Sequence, residues 1–287
     1  MKLQAPFPYY GCKNSISKIV WNAFGNPKIY LEPFFGSGAI LLTRPNLSNN
    51  SIEIINDLDG HVTNVWRCLK LNPDSLIKYC DWPISHLDLI ARKKYLLKIK
   101  NSLEESLKND LEFSDPKAAS IWIWYACTSI CGDMTSRNSL PNLMSNSGIH
   151  KITARSTTLL FDWFSQLSKR LRYVKIVCSN WSSICGNWLD QEKSIAIFLD
   201  PPYLGSEKTY YTSSKNLSNE VREYCYEKGQ LPNYKIILCG YDEHQELMNY
   251  GWTSINWKAK GWFSKNDNRF KERIYFSPAC SNSLLIT

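Results

Sequence analysis

Seven short apolar runs, at 29–34, 52–55, 174–178, 195–199, 236–239, 253–257 and 274–276, constrain this chain more than any other feature. Continuous apolar runs of this length predict strands covered on both faces, as in α/β sheets. Helical periods lie between some of them. Val62, Val65, Trp66 and Leu69 fall at i, i+3, i+4 and i+7. Leu159, Trp163, Leu167 and Leu171 recur every fourth residue, and Lys169, Arg170 and Arg172 at their end carry the charge a helix C-terminus favours. Strands alternating with helices predict a doubly wound α/β sheet. No helical period separates the last two runs, which predicts a hairpin there.

The segment 72–157 breaks this rhythm. Helical patterns at 93–111 and 118–131 give way to a Ser-, Asn-, Pro- and Gly-rich stretch at 135–148. It is expected to be a mostly helical insertion, leaving a discontinuous core of residues 1–71 and 158–287. A length of 287 residues with 44% apolar side chains suits such a core and excludes collagen, a coiled coil and wholesale disorder. No apolar run approaches the ~20 residues that span a bilayer. The first ten residues lack a signal-peptide pattern. A soluble, cytoplasmic protein is therefore expected.

The 10 cysteines form no CxxC pair, and the 4 histidines lie far from them. Reduced, mostly buried thiols are expected, with no disulfide scaffold and no metal site. Lys and Arg number 34 against 26 Asp and Glu, a net charge of 34 − 26 = +8. Basic charge with 13% aromatic residues suits a nucleic-acid partner, although a core rich in Trp and Tyr explains most of the rings.

Asp200-Pro201-Pro202-Tyr203 follows the run 195–199 directly. Ligands of open α/β sheets sit at the carboxyl ends of strands, so the tetrad stands where chemistry is expected. An aromatic amine such as adenine N6 is a poor nucleophile, because its lone pair is conjugated into the ring. A carboxylate and a carbonyl that accept its two N–H bonds favour a pyramidal nitrogen with a free lone pair. Asp200 and the Pro201 carbonyl are candidates for that pair, Pro202 stiffens the turn, and Tyr203 can stack on a base.

Glu32-Pro33-Phe34-Phe35-Gly36-Ser37-Gly38 follows the first run. Its two glycines allow a tight turn close to a ligand. Glu32 would repel a pyrophosphate and could face a cation such as an amino-acid ammonium. Asp57 ends the second run, where an acid commonly holds ribose hydroxyls; capping the following helix is the alternative role. Tyr9-Tyr10-Gly11-Cys12-Lys13 lacks the glycine and the strand a phosphate loop needs before its lysine. Lys258, Lys260, Lys265, Arg269, Lys271 and Arg273 outweigh Asp267 and Glu272 by 6 − 2 = +4, a charge that could lie along DNA phosphates or simply be solvated.

Taken in order, these motifs resemble the Dam-like DNA adenine N6-methyltransferases, particularly phage-type variants. The resemblance is carried by Pro8 with the Tyr9–Lys13 motif, Leu31 with the glycine turn and Ala39, Asn56-Asp57-Leu58, Leu199 with the DPPY tetrad, and a tail that starts at Leu238-Cys239-Gly240-Tyr241 and ends at Arg273-Ile274-Tyr275-Phe276-Ser277-Pro278. It implies a Rossmann-like seven-stranded methyltransferase core, with S-adenosylmethionine as cofactor and 72–157 as an inserted target-recognition domain. Tyr9, Tyr10, Gly11 and Lys13 would lie near the cofactor and target. Residues 32–38 would hold its methionine end, Asp57 its ribose, and Asn180 and Trp181 its adenine, with Asp200 beside the methyl group. Asn180 stands where many relatives have an acid, and Cys12 where they have glycine.

The expected reaction is direct in-line methyl transfer to an adenine rotated out of double-stranded DNA, without metal or covalent enzyme intermediate. The expected state is a monomer or weak dimer in a bacterial or phage-infected cell, in a restriction-modification setting. Cytosine N4 or RNA adenine are alternative targets. A silent SAM- or DNA-binding protein is a further alternative, and the tetrad and the missing GxGxxG weigh against a nicotinamide oxidoreductase.

Overall fold

The computed structural model describes residues 3–9, 11, 13–45, 50–129, 149, 157–203, 214–257 and 272–281. The elements run α1 (Ser17–Phe24), β1 (Ile29–Glu32), β2 (Ile52–Asn56), α2 (Gly60–Leu71), α3 (Ile77–Cys80), α4 (His86–Asn109), α5 (Pro116–Thr128), α6 (Thr157–Leu171), β3 (Lys175–Val177), β4 (Ile195–Leu199), α7 (Ser214–Lys228), β5 (Tyr234–Gly240), β6 (Thr253–Asn256) and β7 (Arg273–Phe276). All seven apolar runs form strands. They make a seven-stranded mixed sheet of order β3-β2-β1-β4-β5-β7-β6. β4 pairs in parallel with β1 and β5, whereas β7 is antiparallel to β5 and β6. The α/β class and the terminal hairpin are as the sequence predicts.

Strand ends follow local chemistry. β1 stops at Glu32 because Pro33 has no N–H to give the ladder. β4 is central and every residue in it is buried. The two outermost strands correct the expectation of full coverage. Lys175 of β3 is exposed, and β6 is half-buried with Asn256 exposed. An edge strand has a neighbour on one side only, so part of its surface stays wet.

Two compact units divide the chain, one of Lys13–Phe35, Thr43–Ile54 and Trp181–Thr287, the other of Met1–Cys12, Gly36–Leu42 and Ile55–Asn180. In the second, helix starts are set by caps rather than by apolar period. Ser85 accepts the Asp88 N–H and starts α4; Asp115 accepts the Ala118 N–H and starts α5, with Pro116 in its first turn. Both helices therefore begin before the patterns at 93–111 and 118–131. Asp59 caps α2 through the His61 N–H.

Arg67 ties this unit together. Its guanidinium is buried and donates to the carbonyls of Leu107 (2.9 Å), Asp110 (2.7 Å) and Ile176 (3.3 Å). The first two lie at the C-terminal end of α4, where carbonyls lack helical partners and a cation is favoured. The eight cysteines among the described residues are free thiols; Cys127 is half-buried and the other seven are buried. Cys12 and Cys131 lie outside the described residues. Among those residues no helix is long and apolar enough to cross a membrane, and no cluster of three or more His, Cys, Asp or Glu could hold a metal.

Truncating Arg67 takes the donor from four carbonyls, those of Leu107, Asp110, Phe113 and Ile176, and opens a cavity. Arg67→Ala is expected to lower unfolding free energy by about 3–5 kcal/mol in urea titration, with Arg67→Met, which fills the space, less damaging. A loss below about 1 kcal/mol in either variant refutes the role given to the guanidinium.

Candidate active site

Two side-chain clusters are described, one in each unit. The first is built at the carboxyl end of central β4. Asp200 follows that strand, and its Oδ2 meets Lys13 Nζ at 2.9 Å; the Lys13 side chain is only 4% exposed. The Tyr203 hydroxyl donates to Asp200 Oδ1 at 3.0 Å. Each carboxylate oxygen thus has a partner, and the plane of the group is fixed. The Tyr203 ring meets Tyr241 edge-on at 4.8 Å. Lys13 Nζ lies 5.3 Å from the Tyr203 ring centre and 5.4 Å from that of Trp257, within cation–π range.

Burial alone would push the Lys13 ammonium toward neutrality. Asp200 foremost, then Cys239 and Glu272, outweigh it and hold the pKa above the ordinary lysine value. Burial moves Glu272 the other way, up to about 7, with Lys13 opposing and Asp200 reinforcing the rise. Tyr203 is also pushed up, first by burial and then by Asp200. The cluster is an aromatic-walled, partly open site with a fixed carboxylate and a buried cation.

The second cluster is the glycine turn. Gly36 (φ +46°) and Gly38 (φ +62°) occupy the left-handed region. The Gly36 N–H donates to Asp57 Oδ2 at 2.8 Å, and its carbonyl accepts the Trp66 indole N–H at 2.9 Å. Asp57 Oδ1 accepts the Asp59 N–H at 2.9 Å. A Cβ on Gly36 would stand 2.4 Å from the Tyr9 ring, so only glycine lets that ring lie over the turn. Phe7 packs edge-on against Trp66 and Trp122 and anchors the segment carrying Tyr9. Burial raises the half-buried Asp57 to about 7, helped by the like charge of Asp59 and opposed by the two N–H donors.

Other predicted residues are placed individually. Glu32 is buried at the end of β1, where its Oε2 accepts the Tyr30 hydroxyl at 2.7 Å. Pro33, Phe35 and Ser37 are buried, and Gly11 has φ +68°. Phe34 stacks on buried Trp181 at 6.1 Å, and Trp181 in turn meets Tyr224 edge-on. Asn180 is exposed. Pro201 is buried and Pro202 half-buried. Arg273 begins β7 and pairs with Asp242. Tyr10, Lys258, Lys260, Lys265, Arg269 and Lys271 lie outside the described residues.

Four residues that line the two clusters were given no site role by the sequence: Trp257, Tyr241 (named only within the tail motif), Trp66 and Glu272. Trp257 and Tyr241 stand at the ends of β6 and β5, where a search for aromatics just past strand ends would find them. Trp66 was legible only as a helix-face residue, and Glu272 only as a countercharge in a basic loop.

A family model for D12 class N6 adenine-specific DNA methyltransferases matches residues 9–262 of the chain. The type II methyltransferase M.MjaIII of Methanocaldococcus jannaschii is 26% identical over 191 residues, 64% of this chain and 62% of that protein. The matched part thus spans about three fifths of that relative's length. The family match takes in the Tyr9–Lys13 segment, the glycine turn, Asp57 and the DPPY tetrad alike, and the chain belongs to the D12 class N6 adenine-specific DNA methyltransferases.

Proposed function

We propose that this chain transfers a methyl group from S-adenosylmethionine to N6 of an adenine flipped out of double-stranded DNA. The observation that carries the reading is the Lys13–Asp200–Tyr203 cluster after β4. A carboxylate fixed on both oxygens beside a proline carbonyl is a ready acceptor pair for an exocyclic amine. Family membership implies a methyl donor.

The residues present fit S-adenosylmethionine. Gly36 lets the Tyr9 ring close over the turn, and Asp57 offers a carboxylate whose oxygens already take two N–H donors and keep lone pairs for hydroxyl groups. Gly36, Ser37 and Gly38 would hold the methionine end and Asp57 the ribose. When bound, the cofactor supplies a methyl group made electrophilic by a sulfonium.

Asp200 and the Pro201 carbonyl accept the two amine N–H bonds, which frees the nitrogen lone pair. Lys13 keeps the carboxylate in place and remains protonated. The rings of Tyr203, Tyr241 and Trp257 exclude water and offer faces to a base. Most of the rate then comes from alignment and fixed charge. The segment 72–157 is proposed to read the target sequence, and the basic residues between β6 and β7 to hold phosphates. A role in a restriction-modification system follows the type II relative.

The test is mass spectrometry of nucleosides from DNA of a methylation-deficient host. Wild type is expected to yield N6-methyladenine and Asp200→Ala none, with the variant as soluble as wild type. N4-methylcytosine in place of N6-methyladenine refutes the base assignment, and methylation by Asp200→Ala refutes the mechanism. Gly36→Ala adds a strained φ and a clash with Tyr9. It is expected to weaken cofactor binding at least about tenfold in isothermal titration, the equivalent of about 1.4 kcal/mol; unchanged binding removes the glycine turn from the cofactor site.

A further inference from the structure

One half-buried acid, Glu272, has no task in this mechanism. Glu272 immediately precedes β7, and its backbone carbonyl accepts the Trp257 N–H at 2.9 Å. That bond extends the β6/β7 ladder past the Asn256–Arg273 pair, at the end where the Trp257 ring approaches Lys13. The Glu272 Oε2 atom is buried and accepts no hydrogen bond from the described residues. A buried acceptor without a donor costs free energy and calls for an explanation. Its charge reaches Lys13, Tyr203, Cys239 and Tyr241, which surround the acceptor carboxylate.

Charge counting supplies the explanation. Lys13 and Asp200 together sum to zero. During transfer the amine nitrogen forms its bond to the methyl carbon while the carbon–sulfur bond breaks and leaves its electron pair on sulfur. The nitrogen becomes cationic until one of its protons passes to the Asp200 carboxylate that accepts it, and from there to water. A neutral ion pair does little for that new charge, whereas a second carboxylate makes the cluster net negative.

We propose that Glu272 is a positioning residue that acts through Lys13: as its second counter-charge it leaves the Asp200 site net negative when the amine turns positive. The inference rests on the methyltransferase reading above. Among the described residues, the groups that share an electrostatic interaction with Glu272 are Lys13 ahead of α1, Asp200 and Tyr203 after β4, Cys239 in β5 and Tyr241 beyond it; Trp257 after β6 bonds its backbone, and Arg273, next in sequence, is paired to Asp242. Burial pushes the Cys239 thiol and the Tyr203 and Tyr241 phenols above their ordinary values, so these stay neutral near pH 7. Glu272, raised to about 7, loses its proton as pH rises through that value. The charged form, and with it the faster reaction, therefore belongs to the alkaline side.

The experiment is steady-state methylation of DNA from pH 5.5 to 9 at saturating cofactor, which suppresses the separate titration of Asp57 in cofactor binding. Wild type is expected to show kcat rising to a plateau with a midpoint near 7. Glu272→Gln is expected to lower the plateau about tenfold or more and flatten the rise, with KM for DNA little changed. Glu272→Asp restores the charge and is expected to recover the rise. Circular dichroism and cofactor titration establish that the variants are folded. A flat wild-type profile overturns the proposal even if Glu272→Gln fails to fold, as does a Glu272→Gln profile that matches wild type. A wild type that modifies no base overturns the methyltransferase reading instead.

Discussion

A lysine ammonium shut away from water must meet a negative charge or give up its own, and Lys13 meets Asp200 at 2.9 Å. The pair joins the stretch ahead of α1 to the end of the central strand β4. Its net worth to stability is small, since both ions lose hydration to form it. Removing Asp200 alone is another matter, because it leaves the buried Lys13 without its nearest counter-charge. What the pair secures is orientation. With Tyr203 on the other oxygen, Asp200 cannot rotate, and the rings of Tyr203 and Trp257 settle around the cation. The acceptor site is organised by a charge that the fold must keep satisfied.

The glycine turn is fixed by the opposite device, backbone donors aimed at a carboxylate. Asp57 receives the N–H groups of Gly36 and Asp59, and Trp66 clasps the Gly36 carbonyl from the other side. The Gly36 N–H and carbonyl therefore each have a partner that fixes the turn. Tyr9 can lie over the turn because Gly36 has no Cβ. The sequence pattern named these residues as separate motifs about twenty positions apart; the shared hydrogen bond between Gly36 and Asp57 explains why both are needed.

The strands were legible because burial on both faces demands continuous apolar runs, as in the five buried residues of β4. The edge strands β3 and β6 were found as strands but misjudged in coverage. Sheet order is a tertiary property that Lys175 and Asn256 do not announce. Helix starts were misplaced where Ser85 and Asp115 cap segments whose apolar period begins later. In the site, residues with distinctive chemistry in short motifs stood out: Asp200, Tyr203, Gly36, Asp57. Trp257, Tyr241 and Glu272 did not. Their partners lie far away in sequence, and a single aromatic or acid near a strand end has no pattern of its own.

Asp57 and Glu272 both stand near 7, and the physical routes differ. Asp57 takes two backbone N–H bonds that by themselves would favour its charged form; burial and the adjacent Asp59 carboxylate override them. A ligand hydroxyl that donates to Asp57 would tip it back toward ionisation, so its titration belongs to the empty turn and fades on binding. Glu272 has no donor on Oε2 among the described residues, and Lys13 lowers its pKa only in part. No cofactor hydroxyl is assigned to Glu272, so its titration persists when the cofactor is bound. On the proposed reading, one acid would answer to occupancy and the other to turnover, the same residue chemistry set in two different surroundings.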